Sequence, residues 1–151
     1  MARFRGRFDY SIDQKGRINI PSKFRKMLPP DAEETFVICR APDSCLRAYP
    51  KDEWEKYEDA LLGMPESRDS AKLLRTIQNT VNDSTLDGQG RVSLTPLQLQ
   101  IAGIHKDVSI IGCGGYLEIW DTQRFNEYTS GGEDFDEVYY KLVPPRNLSG
   151  G

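Results

Sequence analysis

Asp13-Gln14-Lys15-Gly16-Arg17-Ile18-Asn19-Ile20-Pro21 and Asp87-Gly88-Gln89-Gly90-Arg91-Val92-Ser93-Leu94-Thr95-Pro96 are two copies of one pattern, Asp-x-x-Gly-Arg followed by alternating apolar residues. Asp13 to Asp87, Gly16 to Gly90 and Arg17 to Arg91 are each a step of 74 residues. An internal repeat governs the reading of everything around it, because each unit is then a half-domain that must find its core in the other.

Around the first copy, Phe8, Tyr10 and Ile12 share one parity before the turn, and Ile18 and Ile20 do after it. That is the period of half-buried strands. The connection between them ends in glycine, as a type I turn closed by a left-handed residue requires. Only glycine takes that conformation cheaply, which accounts for Gly16 and Gly90. The Asp is placed to accept hydrogen bonds from turn amides, and the Arg four residues on is placed to pair with it. Each copy therefore reads as a hairpin.

A short helix follows each hairpin. In the second copy Thr95 is the expected N-cap, Pro96 the first helical residue and Gly103 the terminator. In the first, Ser22 is the expected cap, Phe24 and Leu28 the apolar face, and Pro29-Pro30 the stop. Strands are predicted at 35–40 and 45–49, and again at 108–111 and 116–120. Helices with aromatic faces come next, carrying Trp54, Tyr57 and Leu61 in one half and Phe125 and Tyr128 in the other. Residues 67–81, with Ala71, Leu74 and Ile77, form an amphipathic linking helix. The expected organisation is a first half-domain at 1–62, a connecting helix at 63–80, a second half-domain at 81–128 and a flexible tail at 129–151. A half of this size is too small to fold alone. The two are expected to share one core by interleaving strands about a pseudo-twofold axis. In the tail, Val138–Val143 reads as a strand ended by Pro144-Pro145.

The net charge of −3 hides a polarity. Residues 1–26 carry eight basic and two acidic side chains, a net of +6, and the remaining 125 carry a net of −9. An anionic protein with its cations gathered at one end meets a polyanion through that end. A basic terminus alone is a common solvated feature, so the charge needs the hairpin to become a site. No stretch is apolar enough to span a membrane, no leader is visible, and the three cysteines form no disulfide framework. A reduced, cytoplasmic setting is expected.

Enzyme chemistry has no foothold. Gly112-Cys113-Gly114-Gly115 lacks the Lys-Ser/Thr of a phosphate loop and reads as a hairpin turn. Cys39, Cys45 and Cys113 lack ligand spacing, and His105 has no nucleophile or acid partner in sight. No catalytic residue, metal, cofactor or small-molecule substrate is expected.

The run from Phe4-Arg5-Gly6-Arg7 through Pro21, its second copy, and the Tyr49-Pro50…Trp54 and Trp120-Asp121…Phe125 segments resemble the MraZ family, over residues 4 to about 128. Each half is similar to the AbrB-type swapped-hairpin domain. The resemblance implies an α+β fold, a pseudo-twofold duplicated swapped-hairpin β-barrel with flanking short helices. It also implies a regulator that binds repeated boxes of double-stranded DNA in its own promoter, represses the division and cell-wall gene cluster, and assembles as a ring homo-oligomer at the nucleoid. Carried over residue by residue, the DNA-contacting positions are Arg5, Arg7, Lys15 and Arg17, with Arg3 weaker. Asp13, Gly16, Asp87, Gly90 and Arg91 hold the two turns. The alternative is an AbrB-type antitoxin that represses its own toxin–antitoxin pair.

Overall fold

The computed structural model describes residues 3–145. In chain order the elements are β1 (Phe4–Ser11), β2 (Arg17–Asn19), α1 (Ser22–Arg25), β3 (Thr35–Ala41), β4 (Cys45–Pro50), α2 (Lys51–Leu62), α3 (Arg68–Thr80), β5 (Asn82–Thr85), β6 (Arg91–Ser93), α4 (Pro96–Ala102), β7 (Asp107–Gly114), β8 (Leu117–Asp121), α5 (Thr122–Ser130) and α6 (Phe135–Leu142). The fold is mixed α+β.

The strands flanking each Asp-x-x-Gly-Arg turn do not pair with one another, contrary to the hairpin reading. β1 pairs along its whole length with β7 of the other half, and β5 pairs with β3. β2 and β6 pair only with each other. The result is an antiparallel sheet of order β1-β7-β8-β4-β3-β5 and a separate ribbon β2-β6. Exchanging each strand with its copy in the other half reverses the sheet order onto itself. Two pairs of equivalent residues sit on the axis of that exchange. One is Ile18↔Val92 in the ribbon, a step of 74. The other is Arg47↔Glu118 between β4 and β8, where the step has shortened to 71. At that second point the copies carry opposite charges, and Arg47 Nε lies 3.2 Å from Glu118 Oε2.

The closed barrel expected from the resemblance is not what the hydrogen bonds describe. β2 and β6 are three residues each and leave the ladder, so the sheet ends at β1 and β5. The main core draws on both halves: Phe4, Phe24, Phe36 and Leu46 pack with Val92, Ile104, Ile110 and Ile119. A smaller cluster of Val37, Trp54, Leu61 and Ile77 seats α2 and α3 on β3.

The α4 signals are present as read: Thr95 is the N-cap, Pro96 opens the helix and Gly103 ends it in the left-handed region at φ 64°; Gln98 adds a reciprocal capping box with Thr95. At α1 the cap is Pro21, and Ser22 is the first helical residue with no side-chain cap. The predicted tail strand is instead the helix α6. Phe135, Val138, Tyr139 and Leu142 follow helical spacing, and Asp136 and Glu137 suit a helix N-terminus. The end of the expected flexible tail, residues 146–151, lies outside the described residues. No described helix is long and apolar enough to cross a membrane.

Candidate nucleic-acid interface

The two turns are built identically. Gly16 N donates to the Asp13 carbonyl at 3.1 Å, and Gly90 N to that of Asp87 at 2.9 Å. Asp13 Oδ1 accepts from the amides of Lys15 (2.9 Å) and Arg17 (2.8 Å), and its Oδ2 from Arg17 Nε at 2.7 Å. Asp87 repeats this with Gln89 N, Arg91 N and Arg91 Nε at 2.9, 2.9 and 2.8 Å. The Arg17 and Arg91 amides are the chief reason that each carboxyl is held below the usual carboxylate range. Side-chain-to-backbone bonds of this kind make the loop rigid before any ligand arrives.

Strand exchange then brings the turns together. Leu94 N donates to the Gly16 carbonyl at 2.8 Å, and Ile20 N to that of Gly90 at 3.0 Å. The loops thus lie at the two ends of a three-residue ribbon, close enough for Arg91 Nη1 to approach Asp13 Oδ2 at 3.6 Å. Arg25, from α1 of the first half, bonds the Ile20 carbonyl through Nε at 3.0 Å and lies over Gly90 of the second. Its equivalent in the second half is Leu99, which packs beside Gly16. Lys15 is exposed at the free tip and enters no ion pair among the described residues.

The cations expected to form one positive face separate into three groups within a chain. Lys15, Arg17, Arg25 and Arg91 surround the paired loops. Arg3 and Arg5 line a cavity of about 600 Å³ at the start of α2, with Lys56 and with Asp52 and Glu53. Lys23 Nζ reaches the Arg5 carbonyl at 3.4 Å. Arg7 forms a two-pronged bond to Asp9 at 2.9 and 3.3 Å and lies 5.3 Å from the centre of the Phe125 ring. The physical reason is strand rise: at about 3.3 Å per residue, Arg5 stands roughly 20 Å from the Ser11 end of β1, where the loop begins.

Arg25 escaped the sequence reading, although the 74-residue step held a signal. The residue equivalent to Leu99 had to face the opposite loop once strands were exchanged. Gln98 was also missed. Fully buried, it donates through Nε2 to the carbonyls of Ile38 (3.1 Å) and Thr80 (2.8 Å), tying α4 to the end of the linking helix.

Burial pushes the thiols of Cys39 and Cys45 up to about 12 and that of Cys113 up to about 11, which favours the protonated thiol in all three. No group of three or more metal-ligating side chains occurs among the described residues. Gly112 lies within β7 and packs against the backbone of Phe4 and Arg5, which leaves no room for a side chain there.

A family model described as "MraZ protein, putative antitoxin-like" matches residues 3–77 and 80–138. The "Transcriptional regulator MraZ" of Syntrophomonas wolfei subsp. wolfei (strain DSM 2245B / Goettingen) is 38% identical over 143 residues, which cover 93% of this chain and 96% of that protein.

Proposed function

Because the chain belongs to the MraZ family, we propose that it is a DNA-binding transcription regulator whose reading head is the pair of Asp-x-x-Gly-Arg loops. It works in the cytoplasm at the nucleoid, represses its own promoter and the division and cell-wall genes behind it, and binds repeated DNA boxes as a ring homo-oligomer. The half-domains 1–62 and 81–128 act as one unit, linked by the helix within 63–80.

The observation that carries this reading is the placement of four cations, Lys15, Arg17, Arg25 and Arg91, around two rigid turns at the ends of one short ribbon. Two-stranded elements enter a major groove, and guanidinium groups there bond guanine edges or phosphates. Arg17 gives its Nε to Asp13, which holds the guanidinium in place and removes rotamer freedom that binding would otherwise cost. Arg5 and Arg7 contribute as outlying phosphate contacts, reached from a neighbouring copy or a longer stretch of duplex. A ring repeats the loop pair, so repeated boxes gain through effective concentration without any new contact.

The test is a mobility-shift titration on the upstream region of the protein's own operon. Wild type binds a two-box duplex far more tightly than a one-box duplex, and Arg17→Ala abolishes the shift without dissolving the assembly. Equal affinity for the two duplexes removes the ring from the mechanism. Unfolding or dissociation of Arg17→Ala would make Arg17 a brace for the loop instead of a DNA contact.

A further inference from the structure

The apolar residues of α6 form a stripe. Phe135, Val138, Tyr139 and Leu142 stand at i, i+3, i+4 and i+7, the spacing of a helix that buries one face. Nothing among the described residues covers that face: α6 has no buried residue, and Phe135 and Leu142 are 74% and 72% exposed. Asp134, Asp136 and Glu137 stand at its start, while Glu133 is held by Lys141 at 3.6 Å. Gly131-Gly132 separates it from α5, so α6 leaves the body as an arm.

A second uncovered surface lies where α2 turns into α3. An open groove of about 800 Å³ runs over Leu62, Met64, Ala71 and Leu74, lined also by Arg68, Arg75 and Glu66. Neither arginine enters an ion pair among the described residues. Groove and helix therefore match twice, apolar floor to apolar stripe and guanidinium groups to carboxylates.

We infer that α6 of one copy of this chain seats its Phe135–Leu142 stripe in the α2–α3 groove of a second copy, its carboxylates facing Arg68 and Arg75. Each chain carries one helix and one groove, so the contact is head-to-tail and every copy makes it twice, once as donor and once as acceptor. Contacts of that kind close into rings when the rotation permits and grow as filaments when it does not. An eight-residue helix covers less than the roughly 800 Å² per partner of a standard interface, so one contact is weak and closure makes it hold. The inference rests on the self-assembly proposed above and supplies the segment that performs it.

Light scattering on the wild type and three variants decides the matter. Wild type assembles. Val138→Asp/Leu142→Asp, which spoils the helix, runs as a monomer, and so does Arg68→Glu/Arg75→Glu, which spoils the groove while altering only exposed side chains. Mixing the two variants yields a one-to-one pair that grows no further, since one intact helix meets one intact groove. Adding Asp136→Lys/Glu137→Lys to the groove variant restores assembly through reversed charges. Should wild type assemble and the helix variant keep its full mass, this contact is overturned while self-assembly stands. A monomeric wild type overturns both. A helix variant of full mass that loses a different bound protein overturns the inference by assigning α6 to that protein.

Discussion

Loop 13–17 and loop 87–91 share every turn and carboxylate hydrogen bond, yet they meet different surroundings. Lys15 at the first tip is matched by Gln89 at the second. Leu99 sits beside Gly16, whereas Arg25 sits over Gly90. Asp13 has Arg17 at 2.7 Å and Arg91 at 3.6 Å, while Asp87 has Arg91 alone, at 2.8 Å. Duplication therefore preserved the geometry, held by Asp, Gly and Arg, and let the charge vary at the positions the turn leaves free. The second loop has no cation at its own tip, but the Arg25 guanidinium of the first half lies over its glycine.

The sharpest way to break this comparison is through the glycines. Both have positive φ, 77° at Gly16 and 75° at Gly90. A Cβ at Gly16 would stand 2.9 Å from the Leu94 carbonyl oxygen, which is backbone and cannot yield; at Gly90 it would meet the side chain of Arg25, which can move. Gly16→Ala is expected to cost about 2–3 kcal/mol and Gly90→Ala about 1–2 kcal/mol in chemical denaturation. Equal losses would mean that the Leu94 carbonyl relaxes as easily as a side chain.

Next come the two arginines. Arg17→Ala is expected to weaken operator binding by at least about tenfold, the order expected of a lost bidentate base contact. Arg91→Ala should weaken it far less but lower the melting temperature more, because Arg91 reaches both carboxylates. Identical losses of binding with unchanged melting would assign both loops the same role.

A smaller effect is expected at the tips. Lys15→Ala removes an exposed cation that holds nothing in the fold, so it should leave melting unchanged and reduce the salt slope of binding by about one. Gln89→Lys makes the second tip resemble the first. A slope raised by about one would place both tips on DNA, and an unchanged slope would confine contact to the first loop.

The mildest test is acid. Both Asp13 and Asp87 have carboxyls lowered on folding, chiefly by the amides of Arg17 and Arg91. Their contribution is complete above the unfolded carboxylate pKa of about 4 and is lost as pH falls through the lower folded value. Melting followed downward from about pH 6 should show a shallower acid decline in Asp13→Asn/Asp87→Asn than in wild type. Asp13→Asn and Asp87→Asn should each remove part of that decline, since each carboxyl is lowered by its own loop's amides.

Much of the local structure was legible because it depends on near neighbours. The turns, the Thr95 cap and the Gly103 stop all follow from residues within four positions of one another. Periodicity was less decisive at 138–143, where a run of β-branched and aromatic residues suits strand and helix alike. The helix followed from Phe135 and the acids before it, which extend the apolar spacing backwards.

By itself the amino-acid order determined that two equivalent units exist, that each presents an Asp-braced, glycine-closed turn, and that cations concentrate early in the chain. Only the tertiary structure decided that β1 pairs with β7 and not with β2, that both turns share one ribbon, and that Arg25 crosses to the second while Arg5 and Arg7 lie elsewhere. The reason is physical. A turn is set by hydrogen bonds a few residues apart, whereas two half-sheets with matching apolar faces can close on themselves or on each other. Burial of the shared core around Phe36 and Ile110 chooses between those pairings.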